Sequence, residues 1–268
     1  MILLGGITSG LSIALYWMGM HLAFYHASHA HHRGEELGIR SAVSIIAALL
    51  SPLAGGIIIR YLGFGPLFGV ASLVLLIAAG ILMHHKEDHQ PYHFHLRTVF
   101  NTHHWRDALF FISRGSDIIA AGVLWPLFIF GILGNYISLG VAGTLVSAAT
   151  VLLFWAVGKY SDHHGKRKIV NWSTWAYSLV WIARAFVSTV PQVFGITFIT
   201  GLVEGIRESP LAALEYNQAR GEVAAYFVNR EVFVSIGRVL LLVLVLIINS
   251  ISGGFIAQAI INLAALLF

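Results

Sequence analysis

Four ionisable side chains stand inside long apolar runs: Arg114 and Asp117, three residues apart, then Arg184 and Glu204. Ionisable groups in a bilayer are costly and usually face a cavity or a partner. Two chemistries fit them. Arg114 and Asp117 share a helical face and could neutralise each other. Alternatively, Asp117 or Glu204 takes up and releases a proton and so couples proton flow to movement of a solute. Asp117, Glu204 and Arg114 are therefore the candidate proton-coupling residues.

Histidine offers a different chemistry. Of the fourteen, thirteen lie in or beside the polar stretches, including His26-x-x-His29-x-His31-His32, His84-His85, His89, His93, His95, His103-His104 and His163-His164. Imidazole suits Zn, Cu, Fe and Ni, and His85, His89 and His93 repeat every four residues. Clustered histidines at a membrane face resemble the boxes of di-iron desaturases and hydroxylases. The His-x-x-His-His box itself does not occur, and few carboxylates sit beside the clusters. Interfacial polar loops with partial positive charge explain the same clusters, so no metal ligand is assigned and no cofactor is expected.

The elements that must position these groups are membrane helices. The 268 residues are 57% hydrophobic and 10% charged, with mean hydropathy +0.80. A soluble domain carries about a quarter charged residues. Apolar runs of about twenty residues give about nine spans: Ile2 to Tyr25, Ser41 to Leu62, Gly65 to Met83, Ala108 to Leu133, Tyr136 to Gly158, Ile169 to Val190, Val193 to Leu214, Val232 to Ile251 and Gly253 to Phe268. Twelve of the sixteen Lys and Arg fall in alternate connections, which makes that side cytoplasmic. The positive formal charge of +4 therefore concerns orientation, not nucleic acid. There is no cysteine, hence no disulfide framework. Met1 to Ser12 carries no basic residue and runs into the first span, so no cleavable signal peptide is expected.

One polar stretch is more specific. Gly158-Lys159-Tyr160-Ser161-Asp162-His163-His164-Gly165-Lys166-Arg167-Lys168 lies between two spans. Two glycines bracket one carboxylate there, and three basic residues follow. Physically this reads as a tight cytoplasmic hairpin, with glycines for the turn and cations for the cytoplasmic face. The pattern of Gly, three residues, Asp, two residues, Gly and a basic tail resembles the signature loop of the major facilitator superfamily of secondary transporters. In that family it occurs once in each six-helix half. Five spans precede it here and four follow, which fits only the copy between the eighth and ninth helices.

The resemblance implies an all-α membrane protein with a partial major facilitator fold, its spans equivalent to helices four to twelve and the first three absent. Residues 1–83 become a partial N-terminal bundle, 84–107 a His-rich cytoplasmic linker and 108–268 a C-terminal six-helix bundle. Gating is implied at Gly158, Asp162, Gly165, Lys166, Arg167 and Lys168, with Arg40, Arg207 and Arg230 nearby. Asp162 is expected near the start of the fifth helix, and Arg230 is expected to lack its partner. The midplane cavity is implied at Tyr16, Trp17, His21 and Trp125, beside Asp117 and Glu204. Ser51-Pro52-Leu53-Ala54-Gly55-Gly56 is similar to a fifth-helix segment of proton-coupled exporters, although generic helix packing explains it equally.

The function implied is a permease moving a small solute by alternating access, proton-coupled and tilted towards efflux as an antiporter. It is not an enzyme, and it sits as a multi-pass protein in a bacterial inner membrane. Its partners are the solute, the lipid bilayer, a coupling proton and the missing N-terminal helices. The alternatives are a membrane-bound His-cluster metalloenzyme and a non-transporting remnant.

Overall fold

A computed structural model describes residues 10–13, 15–21, 33–83, 105–164, 166–218 and 223–268. All regular structure among them is helical. Helix α1 comprises residues 10–13 and 15–21. It is followed by α2 (Arg33–Leu62), α3 (Phe64–Met83), α4 (Trp105–Leu133), α5 (Tyr136–His164), α6 (Lys166–Arg184), α7 (Val190–Gln218), α8 (Val223–Ile248) and α9 (Ile251–Asn262), with a closing 3-10 turn at Leu263–Leu266. The chain is an all-α membrane protein. Among the described residues, four helices are long and apolar enough to cross a bilayer: Phe64–Ile81, Trp105–Leu133, Tyr136–Phe154 and Ala224–Ile248. Ile46–Leu62 and Ile251–Leu266 are shorter apolar helices. Helices α6 and α7 are less apolar for an identifiable reason: α6 carries Lys166, Arg167, Lys168 and Arg184, and α7 carries Glu204, Arg207, Glu208 and Glu215.

Helix ends follow local chemistry. Gly134 closes α4 at φ +70°, the left-handed conformation that a glycine adopts without a Cβ penalty. Ser250 caps α9, its hydroxyl accepting from the Gly253 amide at 3.1 Å. The Gln192 side chain accepts from the Ser188 and Thr189 amides at the start of α7.

The segment from Gly158 to Lys168, expected as a hairpin loop, is mostly helix. Helix α5 runs on to His164 and α6 begins at Lys166, so the connection shrinks to residue 165. The helical backbone continues past Gly158, where a sequence reading puts the break. Gly165 and the side chains of Asp162 and Arg40 lie outside the described residues, so the expected approach of Asp162 to Arg40 does too. So do residues 84–104 and the side chains of His163 and His164, which together hold most of the histidine clusters.

Helix α7 packs extensively on α5 and α6, α4 on α8, and α9 on α6. Two core clusters fill this bundle, one around Trp125, Trp181 and Phe255, the other around Phe110, Phe111 and Leu211. Helix α2 joins it through α5. At their crossing a Cβ added to Gly140 would stand 2.5 Å from the Pro52 carbonyl oxygen, and one added to Gly143 would stand 2.7 Å from the Pro52 Cβ. Only glycine permits that approach. Thr144 then donates to the Leu49 carbonyl at 2.9 Å and Ser147 to that of Ala48 at 3.0 Å.

The two ends of α6 provide a topology test in a chain without native cysteine. Lys168→Cys and Ser188→Cys should react with a membrane-impermeant thiol reagent from opposite faces of the bilayer. Labelling of both from the same face would remove α6 from the set of spans.

Candidate functional site

Four helices each contribute a polar stripe at helical spacing. Arg114 and Asp117 come from α4, and Tyr177, Trp181 and Arg184 from α6. Helix α7 adds Thr200, Glu204, Arg207 and Glu208, and α9 adds Gln258 and Asn262. Residues three, four and seven apart share a face, so each helix can turn its stripe inward while its other faces stay apolar. Immediately after Asp117, α4 widens into a π-helical turn at Ala120–Leu124, a distortion frequent at functional sites.

Asp117 is the hub. Its Oδ1 accepts from the Trp181 indole at 3.2 Å and from Gln258 at 3.4 Å. Its Oδ2 faces the Tyr177 hydroxyl at 3.4 Å and Arg207 Nη1 at 3.8 Å. The Tyr177 hydroxyl also donates to Glu204 at 3.0 Å, so a single hydroxyl stands between two carboxylates on different helices. Arg207, fully buried, donates to Asn262 at 2.8 Å and lies over the Tyr177 ring. Asn262 continues to the Ser178 hydroxyl at 2.9 Å and the Thr174 carbonyl at 3.1 Å. Arg184 is held between two indoles, 4.0 Å from the Trp181 centroid and 4.6 Å from that of Trp125, and donates to Thr200 at 3.1 Å.

Arg114 does not pair with Asp117. It makes a bidentate bond to Glu208 at 2.7 and 2.8 Å, the fork geometry in which a guanidinium matches a carboxylate. Spacing of three on α4 allowed the intrahelical pair, but packing against α7 supplied a better acceptor. Arg207, placed by the sequence at the end of its span, instead lies inside the bundle because α7 continues to Gln218. Arg230, expected without a partner, pairs with Glu215 of α7 and with Glu231 beside it. Lys166, Arg167 and Lys168 occupy the first turn of α6.

A cavity of about 360 Å³ lies where α2 meets α4 and α5. Its walls include Pro52, Gly55, Trp125, Leu139, Gly143 and Thr197, and they are almost wholly apolar. Trp125 lines this cavity. Tyr16, Trp17 and His21 do not line it. Tyr16 and Trp17 are exposed, while His21 is buried at the far end of α1, where its Nδ1 meets the Tyr216 hydroxyl at 2.8 Å and its ring stacks on Phe227. Among the described residues no three His, Cys, Asp or Glu side chains converge as a metal site.

Sequence reading missed Tyr177, Trp181, Gln258 and Asn262. A usable signal existed for the last two: Gln258 and Asn262 are four apart in an otherwise apolar helix. Polar residues so placed in a membrane helix mark a face turned to other helices.

No protein-family model matches the sequence. The chain is similar to multidrug resistance protein MdtG of Escherichia fergusonii, with 29% identity over 222 residues, covering 77% of this chain and 54% of that protein. It is similar to MdtG of Citrobacter koseri at 26% identity, covering 77% and 54%, and to that of Salmonella arizonae at 27%, covering 77% and 55%. The resemblance to the major facilitator superfamily stands. The chain spans about half the length of these curated relatives.

Proposed function

We propose that the chain is part of a proton-coupled major facilitator efflux permease, a transporter without enzymatic activity in a bacterial inner membrane. Residues 1–83 form what is present of the N-terminal bundle, 84–107 the linker and 108–268 the C-terminal bundle. The observation that carries the coupling is the Tyr177 hydroxyl between Glu204 and Asp117. A hydroxyl can donate to one carboxylate and accept from the other once that one is protonated. A proton gained at one site thereby changes the hydrogen bonding of the second, and through Arg207 the hydrogen bond that joins α7 to Asn262 of α9. The solute is a small, largely apolar molecule that uses the cavity at α2, α4 and α5, whose size and lining suit such a ligand. This agrees with the multidrug names of the relatives. Asp162, the basic run after it and the Arg230 pairs close the basic side of the membrane in one state of alternating access.

Reconstitution of the chain in proteoliposomes tests the reading. A lipophilic fluorescent dye should move when a proton gradient is imposed and stop when an uncoupler collapses it. Glu204→Gln and Asp117→Asn should each abolish the gradient-driven component. Dye movement indifferent to the gradient, or gradient-driven movement surviving both substitutions, would overturn it.

A further inference from the structure

Helices α5 and α6 are joined across a single residue yet touch each other little, because each packs instead on α7. The gap between them is an open groove of about 420 Å³. Val203 and Ile206 of α7 are its floor, Val157 is one wall, and Ile169, Trp172 and Ala176 form the other. Nearly all of this lining is apolar. Trp172 is 72% exposed and stands at the edge, one helical turn from the basic end of α6. Tryptophan favours the level where hydrocarbon meets headgroups.

The charges are placed asymmetrically around this groove. At about 100° per residue, Ile169, Trp172, Ser173 and Ala176 share one face of α6. Lys166 and Lys168 emerge on either side of that face, and Arg167 on the opposite one. Lys168 is exposed and has no ion-pair partner among the described residues. An apolar trough that ends between two lysines is complementary to a hydrocarbon chain ending in a phosphate. In a membrane protein one source supplies both: basic pockets between helices on the basic side bind anionic headgroups.

We propose that the α5–α6–α7 groove seats an acyl chain of an anionic glycerophospholipid whose phosphate lies between Lys166 and Lys168. The bound lipid fills the space that α5 and α6 leave open. It ties the basic connection between them to the bilayer surface.

The test uses the full chain in nanodiscs, with tryptophan fluorescence quenched by brominated acyl chains. Brominated phosphatidylglycerol should quench a component that brominated phosphatidylcholine quenches less, and Trp172→Phe should remove that component. Lys166→Gln with Lys168→Gln should lower the preference for phosphatidylglycerol about fivefold per lysine. Arg167→Gln removes an equal charge from the same turn and should leave the preference intact. Helix content measured by circular dichroism on each variant separates loss of lipid from loss of fold, and the paired lysine variant is read only against the equally folded Arg167→Gln. Excess inorganic phosphate in solution should not displace the effect. Equal quenching by the two lipids, an Arg167→Gln loss as large as that of the lysine pair, or displacement by phosphate would each overturn the proposal.

Discussion

Gly115→Ala and Gly237→Ala, made separately and together, should lower the thermal stability of the detergent-solubilised chain more than any other small-to-small change in α4 or α8. Where these helices cross, a Cβ on Gly115 would run into the Val234 backbone, and one on Gly237 would run into the Ile112 backbone. The obstacle in both cases is main chain, which cannot rotate away as a flexible side chain can. Forcing a methyl group into such a contact costs about 1–3 kcal/mol. The two glycines serve the same crossing, so the double variant should depart from additivity. Gly131→Ala on the same α4 is the control, because nothing lies within 4 Å of its added Cβ. It should leave the melting temperature unchanged or slightly raised, as expected when alanine replaces glycine in a helix. Equal losses at Gly131 and Gly115 would mean that α4 and α8 do not meet at this distance.

The second large effect is expected at Arg207. It is fully buried and holds Asn262, Asp117 and Glu208. Arg207→Leu leaves two carboxylates and an amide in the bundle without their common cation, and breaking a buried pair from one side costs about 3–5 kcal/mol. Adding Asp117→Leu to Arg207→Leu should recover part of that loss, since an apolar pair is easier to bury than one orphaned charge. Arg114→Leu should cost less, because Arg114 and Glu208 retain 20% and 29% side-chain exposure and solvent can replace the missing partner. Unfolding followed by tryptophan fluorescence in denaturant gives the three values. An Arg207→Leu loss no larger than that of Arg114→Leu would show that Arg207 is not the centre of the network.

These residues also show where sequence reading ends. Arg114 and Asp117 could be singled out because a charge in an apolar run is costly wherever the run folds. Their partners could not. Spacing on α4 offered each to the other, while the structure sends Arg114 to Glu208 and gives Asp117 to α6, α7 and α9. The same holds for Arg230, which finds Glu215 on the neighbouring helix.

The sequence by itself determined that this is a helical membrane protein, which charges lie within its apolar runs, and which major facilitator loop it resembles. Those properties depend on hydropathy, periodicity and charge count, all local along the chain. The tertiary structure alone decided that Gly158 to His164 is helix, that His21 reaches Tyr216, that Tyr177 stands between Glu204 and Asp117, and that a groove opens between α5 and α6. Helical periodicity fixes which residues share a face. Which faces then meet depends on side chains distant in sequence, such as Gly115 against Val234 or Asn262 against Arg207, and on the closest approach that those side chains permit.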